Sequence, residues 1–366
     1  MGLALLVGML AGAACVPPRG GWDVRSLRTA EPALAELRGE RLGDLTPFPA
    51  WIEGELALVA CRWASGTPVV VRASRPEGVP EDWLRVAVRS VDGAVPAVAL
   101  VLAARTAGSD SQGAEASSKR GSPQAGELAP GKSTDILVVG IVDGTAEGPI
   151  GVADTLTSCD VSARPDDAGR VRGELRSAEI EIRFAREDVI GRMQPLLPEE
   201  WVGAAMHELG HALGFAGHVA RGDSILVREQ GVLRAAGRRA LSQELGREPS
   251  LEALYRLEPG RRLGQRALAP TARRWLMRLD RALEALEREG IGVQGPRASV
   301  GDRHARLEWW IEGRARVGLR FPDWSRQLRE GGAIFALPDA TTRGWLEGLE
   351  AQPSIEESSA RARARS

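Results

Sequence analysis

Four histidines occur in the 366 residues, and three of them fall within the 12-residue stretch His207-Glu208-Leu209-Gly210-His211-Ala212-Leu213-Gly214-Phe215-Ala216-Gly217-His218. The pattern is H-E-x-x-H-x-x-G-x-x-H. On a helix, residues four apart share a face, so His207 and His211 can direct two imidazoles at one ion. Gly214 lets the chain leave the helix through a backbone conformation that other residues disfavour, and the turn can return His218 as a third ligand. Three protein nitrogens leave a fourth position for water, the arrangement of a catalytic zinc site. Glu208 stands beside a ligand without needing to be one. Its carboxylate can take a proton from the attacking water and deliver it to a leaving amine. Closed structural sites favour cysteine and have no use for the glutamate, so the expected cofactor is one catalytic Zn2+. The sequence is silent on structural Ca2+.

These side chains need a helix to carry them and a sheet to support it. Pro198-Glu199-Glu200-Trp201 reads as the helix start, with Pro in the first turn and two acids at the positive end. Upstream, Val69-Val70-Val71 is a short β-branched run and reads as a strand. Pro80 opens a helix with Trp83, Val86, Ala87, Ser90 and Val91 on one face. Strands follow at Val98–Ala104 and Ile136–Val142, and Gly151-Val152-Ala153 begins another short one. Ile180, Ile182 and Phe184 alternate with Glu179, Glu181 and Arg183, which predicts a half-buried strand. Residues 106–133, rich in Ser, Gly, Ala and Pro, read as a disordered insertion. Past residue 228 the chain is Arg-rich and predicted helical. There Trp275, Leu279, Leu283 and Leu286 trace an apolar face, and Gly290 ends it. Trp309-Trp310 and Trp324 suggest a small packed module near the C-terminus. His304 stands alone in a polar stretch and reads as a surface histidine.

The motif at 207–218 resembles the signature of the metzincin metallopeptidases, and within that clan the chain looks most like a bacterial form of the matrixins. The order strand, helix, strand, strand, short edge strand, strand, motif helix is similar to the metzincin N-terminal subdomain. The resemblance implies an α+β fold with a twisted mixed sheet, an active-site helix and a Met-turn-like loop. In matrixins the Met-turn methionine lies eight residues past the third His, where this chain has Leu226. Leu fills a similar volume beneath the imidazoles, and Met277 lies in a helical pattern far downstream. Gly148–Ala153 resembles the edge strand that pairs with extended substrate, which makes Gly151, Val152 and Ala153 candidate substrate-binding residues by backbone addition. Pro249–Tyr255 resembles the last helix of such domains. The implied activity is a zinc-dependent endopeptidase acting on extended protein segments. The alternative is a non-catalytic cell-surface binding protein on the same scaffold. A specificity pocket would be lined from within 219–248.

Composition limits the other classes. The formal charge is −1, with 43% hydrophobic and 27% charged residues. A chain of that balance has a core to bury and no basic excess for nucleic acid or a membrane surface. Gly126–Ser133 matches the phosphate-loop pattern, but that loop needs a strand before it and a helix after it, so no nucleotide site is expected. Leu3–Ala14 is too short to span a bilayer and suits a signal-peptide core. Its end, Ala11-Gly12-Ala13-Ala14-Cys15, resembles a lipobox with Cys15 as the lipidated residue, an ordinary cleaved signal being the alternative. That would make the protein an exported envelope lipoprotein or a secreted one, touching membrane only through the anchor. Cys61 and Cys159 then remain as a pair suited to one disulfide, the alternatives being separate thiols or Cys61 capping the metal. The predicted organisation is 1–15 signal, 16–60 N-terminal extension, 61–260 peptidase domain and 261–366 helical C-terminal region.

Overall fold

The computed structural model describes residues 45–74, 79–103, 135–141, 153–161, 171–187, 192–220, 222–244, 246–312 and 316–351. The chain opens with a hairpin, β1 (Phe48–Ile52) and β2 (Glu55–Val59). There follow β3 (Val69–Ser74), α1 (Glu81–Ala94), β4 (Leu100–Leu102), β5 (Asp135–Ile141), β6 (Ala153–Val161) and β7 (Gly173–Arg183). A small hairpin, β8 (Ala185–Glu187) and β9 (Met193–Pro195), leads into α2 (Pro198–Ala212), then α3 (Gln230–Leu241) and α4 (Pro249–Arg256). The remainder is β10 (Arg262–Arg266), α5 (Pro270–Arg288), β11 (Val293–Val300), β12 (His304–Ile311), β13 (Arg316–Pro322), α6 (Trp324–Glu330), β14 (Leu337–Pro338) and α7 (Ala340–Ala351).

A nine-stranded mixed sheet in the order β14-β13-β12-β11-β6-β7-β5-β3-β4 forms the frame. β4, β3, β5 and β7 run parallel, joined by α1 across the first crossover, while β6 and β11 to β14 are antiparallel to their neighbours. β7 shows why the sheet can carry α2: Ala178, Ile180 and Ile182 are buried while Glu181 between them is exposed. Alternation with period two turns one face to the helix layer and leaves the other wet. On α2 every residue from Trp201 to Ala212 is buried, as a helix covered by sheet, α1 and α3 must be. Trp201 anchors it, fully buried against Phe184 and Trp83. α3 crosses α2 at close range because glycine occupies both contact points. A Cβ on Gly203 would run into the Leu233 carbonyl, and one on Gly237 into the Glu199 carbonyl.

The structure departs from the sequence expectations in several places. The domain starts before residue 61: β1 and β2 are buried, β2 pairs with β10, and the Trp324 indole nitrogen donates to the Pro47 carbonyl at 2.9 Å. Residues 261–366 are not a separate helical region. They add β10 to a three-stranded sheet with β1 and β2, and β11 to β14 to the main sheet, so the sheet runs across the expected boundary at 260. In α5 the buried face uses Ala272, Leu276, Leu279, Leu283 and Leu286, with Trp275 only partly covered. His304 is not a free surface group: its Nε2 is buried with no hydrogen-bond partner among the described residues, and burial holds its pKa down to about 4. Residues 106–133, with the phosphate-loop-like 126–133 among them, lie outside the described residues, as do Cys15 and the rest of the N-terminal segment.

Candidate metal centre

α2 carries His207, Glu208 and His211 through its last turns and ends at Leu213. Gly214 then takes φ +105°, and a Cβ there would meet the Cys61 carbonyl, so glycine is required on both counts. The chain bends back through Gly217, at φ +124°, and delivers His218. The ring centroids of His207, His211 and His218 lie 4.5 to 5.1 Å apart. One ring nitrogen from each falls within 4.8 Å of the others, so the three-histidine group could hold a metal ion.

Two backbone carbonyls fix which nitrogens face inward. His207 Nδ1 lies 2.6 Å from the Ile225 carbonyl and His211 Nδ1 2.7 Å from the Phe215 carbonyl. A carbonyl only accepts, so each Nδ1 must be the N–H, and each Nε2 keeps its lone pair. The two Nε2 atoms then face each other at 3.0 Å with no proton to share. Buried lone pairs at that distance repel unless a cation lies between them, and this donor set fits a divalent metal. The protonation balance agrees. Burial pushes the pKa of His207 down to about 3 and lowers those of His211 and His218, the neighbouring imidazoles adding to the shift at His207 and His218. Neutral imidazole is the form that ligates.

Glu208 projects beside the cluster. Its Oε2 accepts from the Thr155 hydroxyl of β6 at 2.6 Å, and the Thr157 hydroxyl donates to the His211 carbonyl at 3.2 Å. β6 is thereby stitched to the motif helix. Burial raises the Glu208 pKa to about 8, Thr155 draws it back, and the charges of Asp302 and Asp154 push it up further. A dication at the histidines would favour the carboxylate.

Beneath the histidines runs the turn Ser224–Val227, with Leu226 fully buried. A Cβ on Gly210 would come 2.7 Å from Leu226 Cδ2, so the leucine fills the space under α2 between the two ligands. Val219 N donates to the Leu226 carbonyl at 3.0 Å, tying the turn to the segment that follows His218. Glu248, at the start of α4, holds the other side: it accepts from Ser224 Oγ at 2.8 Å and from the Ile225 N–H at 3.0 Å. Ile225 is the peptide whose carbonyl orients His207.

A cavity of about 250 Å³ opens onto His207, Glu208 and His218, lined otherwise by Leu196, Ala204, Leu233, Arg234, Arg228 and Asp302 among others. Its α3 residues fall in the 219–248 stretch expected to shape specificity. Ala153 lines it as well, at the start of β6, while Gly151 and Val152 lie outside the described residues. β6 is not a simple edge strand. β11 pairs with its outer side from Thr157 to Asp160. Cys61 and Cys159 are joined by a disulfide across 98 residues, which leaves neither thiol for the metal.

Sequence reasoning missed Thr155, Thr157, Glu248, Arg228 and Asp302. Glu248 alone left a trace, an acid just ahead of a Pro-initiated helix. The others reach the site through strand register, which no local pattern encodes. No known family model matches the chain, and no curated protein matches it in sequence.

Proposed function

We propose that the protein is a zinc-dependent peptidase of metzincin type, hydrolysing peptide bonds in extended polypeptide segments. The observation that carries this reading is a buried glutamate, held by Thr155, beside a three-histidine group to which it does not itself belong. A structural metal site has no need of such a base. A zinc ion held by His207, His211 and His218 would acidify water and polarise a carbonyl. Glu208, aimed by Thr155, would take a proton from the attacking water as the C–O bond forms. It would pass that proton to the amide nitrogen as the C–N bond breaks, releasing a carboxylic acid and an amine. A dication at the histidines would hold Glu208 as the carboxylate that the first step needs. The cavity beside α3 would hold one substrate side chain, and the Ala153 end of β6, whose outer side pairs with no described strand, offers backbone groups to an extended chain.

Leu226 in the Met-turn position supports retention of the turn, since the leucine packs where a methionine would. The buried disulfide supports an oxidising, exported location. Among the described residues no helix is long and apolar enough to cross a membrane. The reading is tested by cleavage of an unfolded protein before and after chelation, with zinc added back. Loss on chelation and return with zinc are expected. A non-catalytic binding protein would bind zinc and cleave nothing.

A further inference from the structure

Most of the strand edge beside Glu208 is already covered. β11 pairs with the outer side of β6 from Asp160 to Thr157, the last pair being Val300 with Thr157. The turn that follows continues the cover, since a Cβ on Gly301 would lie 3.3 Å from the Thr155 carbonyl oxygen. Thr155 is the residue whose hydroxyl holds Glu208. Asp302, in the same turn, lines the cavity with Glu208 and His218 and pairs with Arg228 at 3.2 Å. Among the described residues, the Ala153 end of β6 is the part of that edge with no strand beside it.

Resting on the peptidase reading above, we infer that the β11–β12 hairpin closes one end of the cleft, so that the site trims short fragments from polypeptide N-termini. The direction follows from the sheet. β6 is antiparallel to both its neighbours, and antiparallel pairing is the more stable mode per residue. A peptide added in line with β11 runs as β11 does, from the Asp160 end of β6 toward its Ala153 end. Its N-terminal side therefore meets the hairpin, and its C-terminal side leaves past Ala153 unobstructed by any described strand. With the turn reaching Thr155, the strand edge left for pairing begins past that residue, so the N-terminal side of a bound chain has little of β6 to pair with and must be short. The charge at the closed end agrees. Asp302 presents a carboxylate there, suited to an α-ammonium. The Arg228 partner of Asp302 is largely exposed, so water weakens that pair and an incoming ammonium can compete for the acid.

The zinc-loaded full chain would be given a long unfolded polypeptide with its N-terminus free or acetylated, and the products read by mass spectrometry. Expected are short N-terminal fragments released stepwise, with acetylation slowing release by about tenfold, the factor carried by one charge-assisted hydrogen bond. Asp302→Ala should remove the difference between free and acetylated substrate, and a difference that survives in the variant would overturn the inference. Internal cuts along the whole polypeptide, trimming from the C-terminus, or equal rates on both substrates would overturn the inference and leave the peptidase reading in place. No cleavage of the long substrate or of a tripeptide-to-octapeptide series would overturn both.

Discussion

Two of the three clustered imidazoles, those of His207 and His211, are each steered by a peptide carbonyl, and the carbonyl that steers His207 is itself held by Glu248 through the Ile225 N–H. Glu248→Ala should therefore weaken zinc binding by roughly 10- to 100-fold, the usual cost of losing an outer-shell support. Competition with a chromogenic chelator measures it, and an unchanged affinity would show that the turn holds without the acid. The histidines and Glu208 could be read from residue type and spacing alone, because a helix converts sequence distance directly into direction. Glu248 could not, because its role depends on where α4 docks. Asp154 gives a second test. Its pKa is raised from 3.8 to about 6, by desolvation first and then by Asp302. Between those values the folded protein binds more protons than the unfolded one, so this group makes stability fall as pH rises from 3.8 to about 6. Asp154→Asn should flatten that slope in urea midpoints measured across the window. An identical slope in the variant would mean that Asp154 titrates normally.

At the scale of elements, the contact between α2 and α3 depends on two glycines that admit backbone against backbone. Gly203→Ala must push the Leu233 carbonyl away and should cost about 1–3 kcal/mol, lowering the thermal midpoint by several degrees. Gly246, with nothing near its Cβ position, is the control and should tolerate alanine with little change. Equal effects at the two positions would contradict this packing. The strands β3, β5 and β7 and the helices α1 and α2 were legible because their apolar periodicities are clean. β12 and β13 carried a period-two signal in Ala305, Leu307, Trp309, Ile311 and in Val317, Leu319, Phe321, all of them buried. Dense arginines masked that signal as a helical surface. β11 offered less, since its register with β12 shifts between Gln294 and Arg297, around Gly295-Pro296.

Taken whole, the molecule is closed by its two ends. β10 completes the sheet of β1 and β2, and β11 pairs with the strand that supports Glu208. A chain ending at residue 260 should fail to give a cooperatively folding protein, because both sheets would lose an inner contact. A soluble fragment with a sharp unfolding transition would contradict that. The boundary at 260 could not be seen to be false from sequence, since strand partners so far apart share no local pattern. The Cys61–Cys159 bridge spans 98 residues. Its reduction should cost about 4 kcal/mol, mostly by releasing the unfolded chain. The most direct measurement is peptide cleavage by zinc-loaded wild type beside Glu208→Ala, with bound zinc quantified in both. The account predicts near-stoichiometric zinc in each and a loss of cleavage of at least about a hundredfold in the variant. Equal cleavage by the two, or none by either with zinc in place, would contradict the assignment of Glu208 as the base of a peptidase.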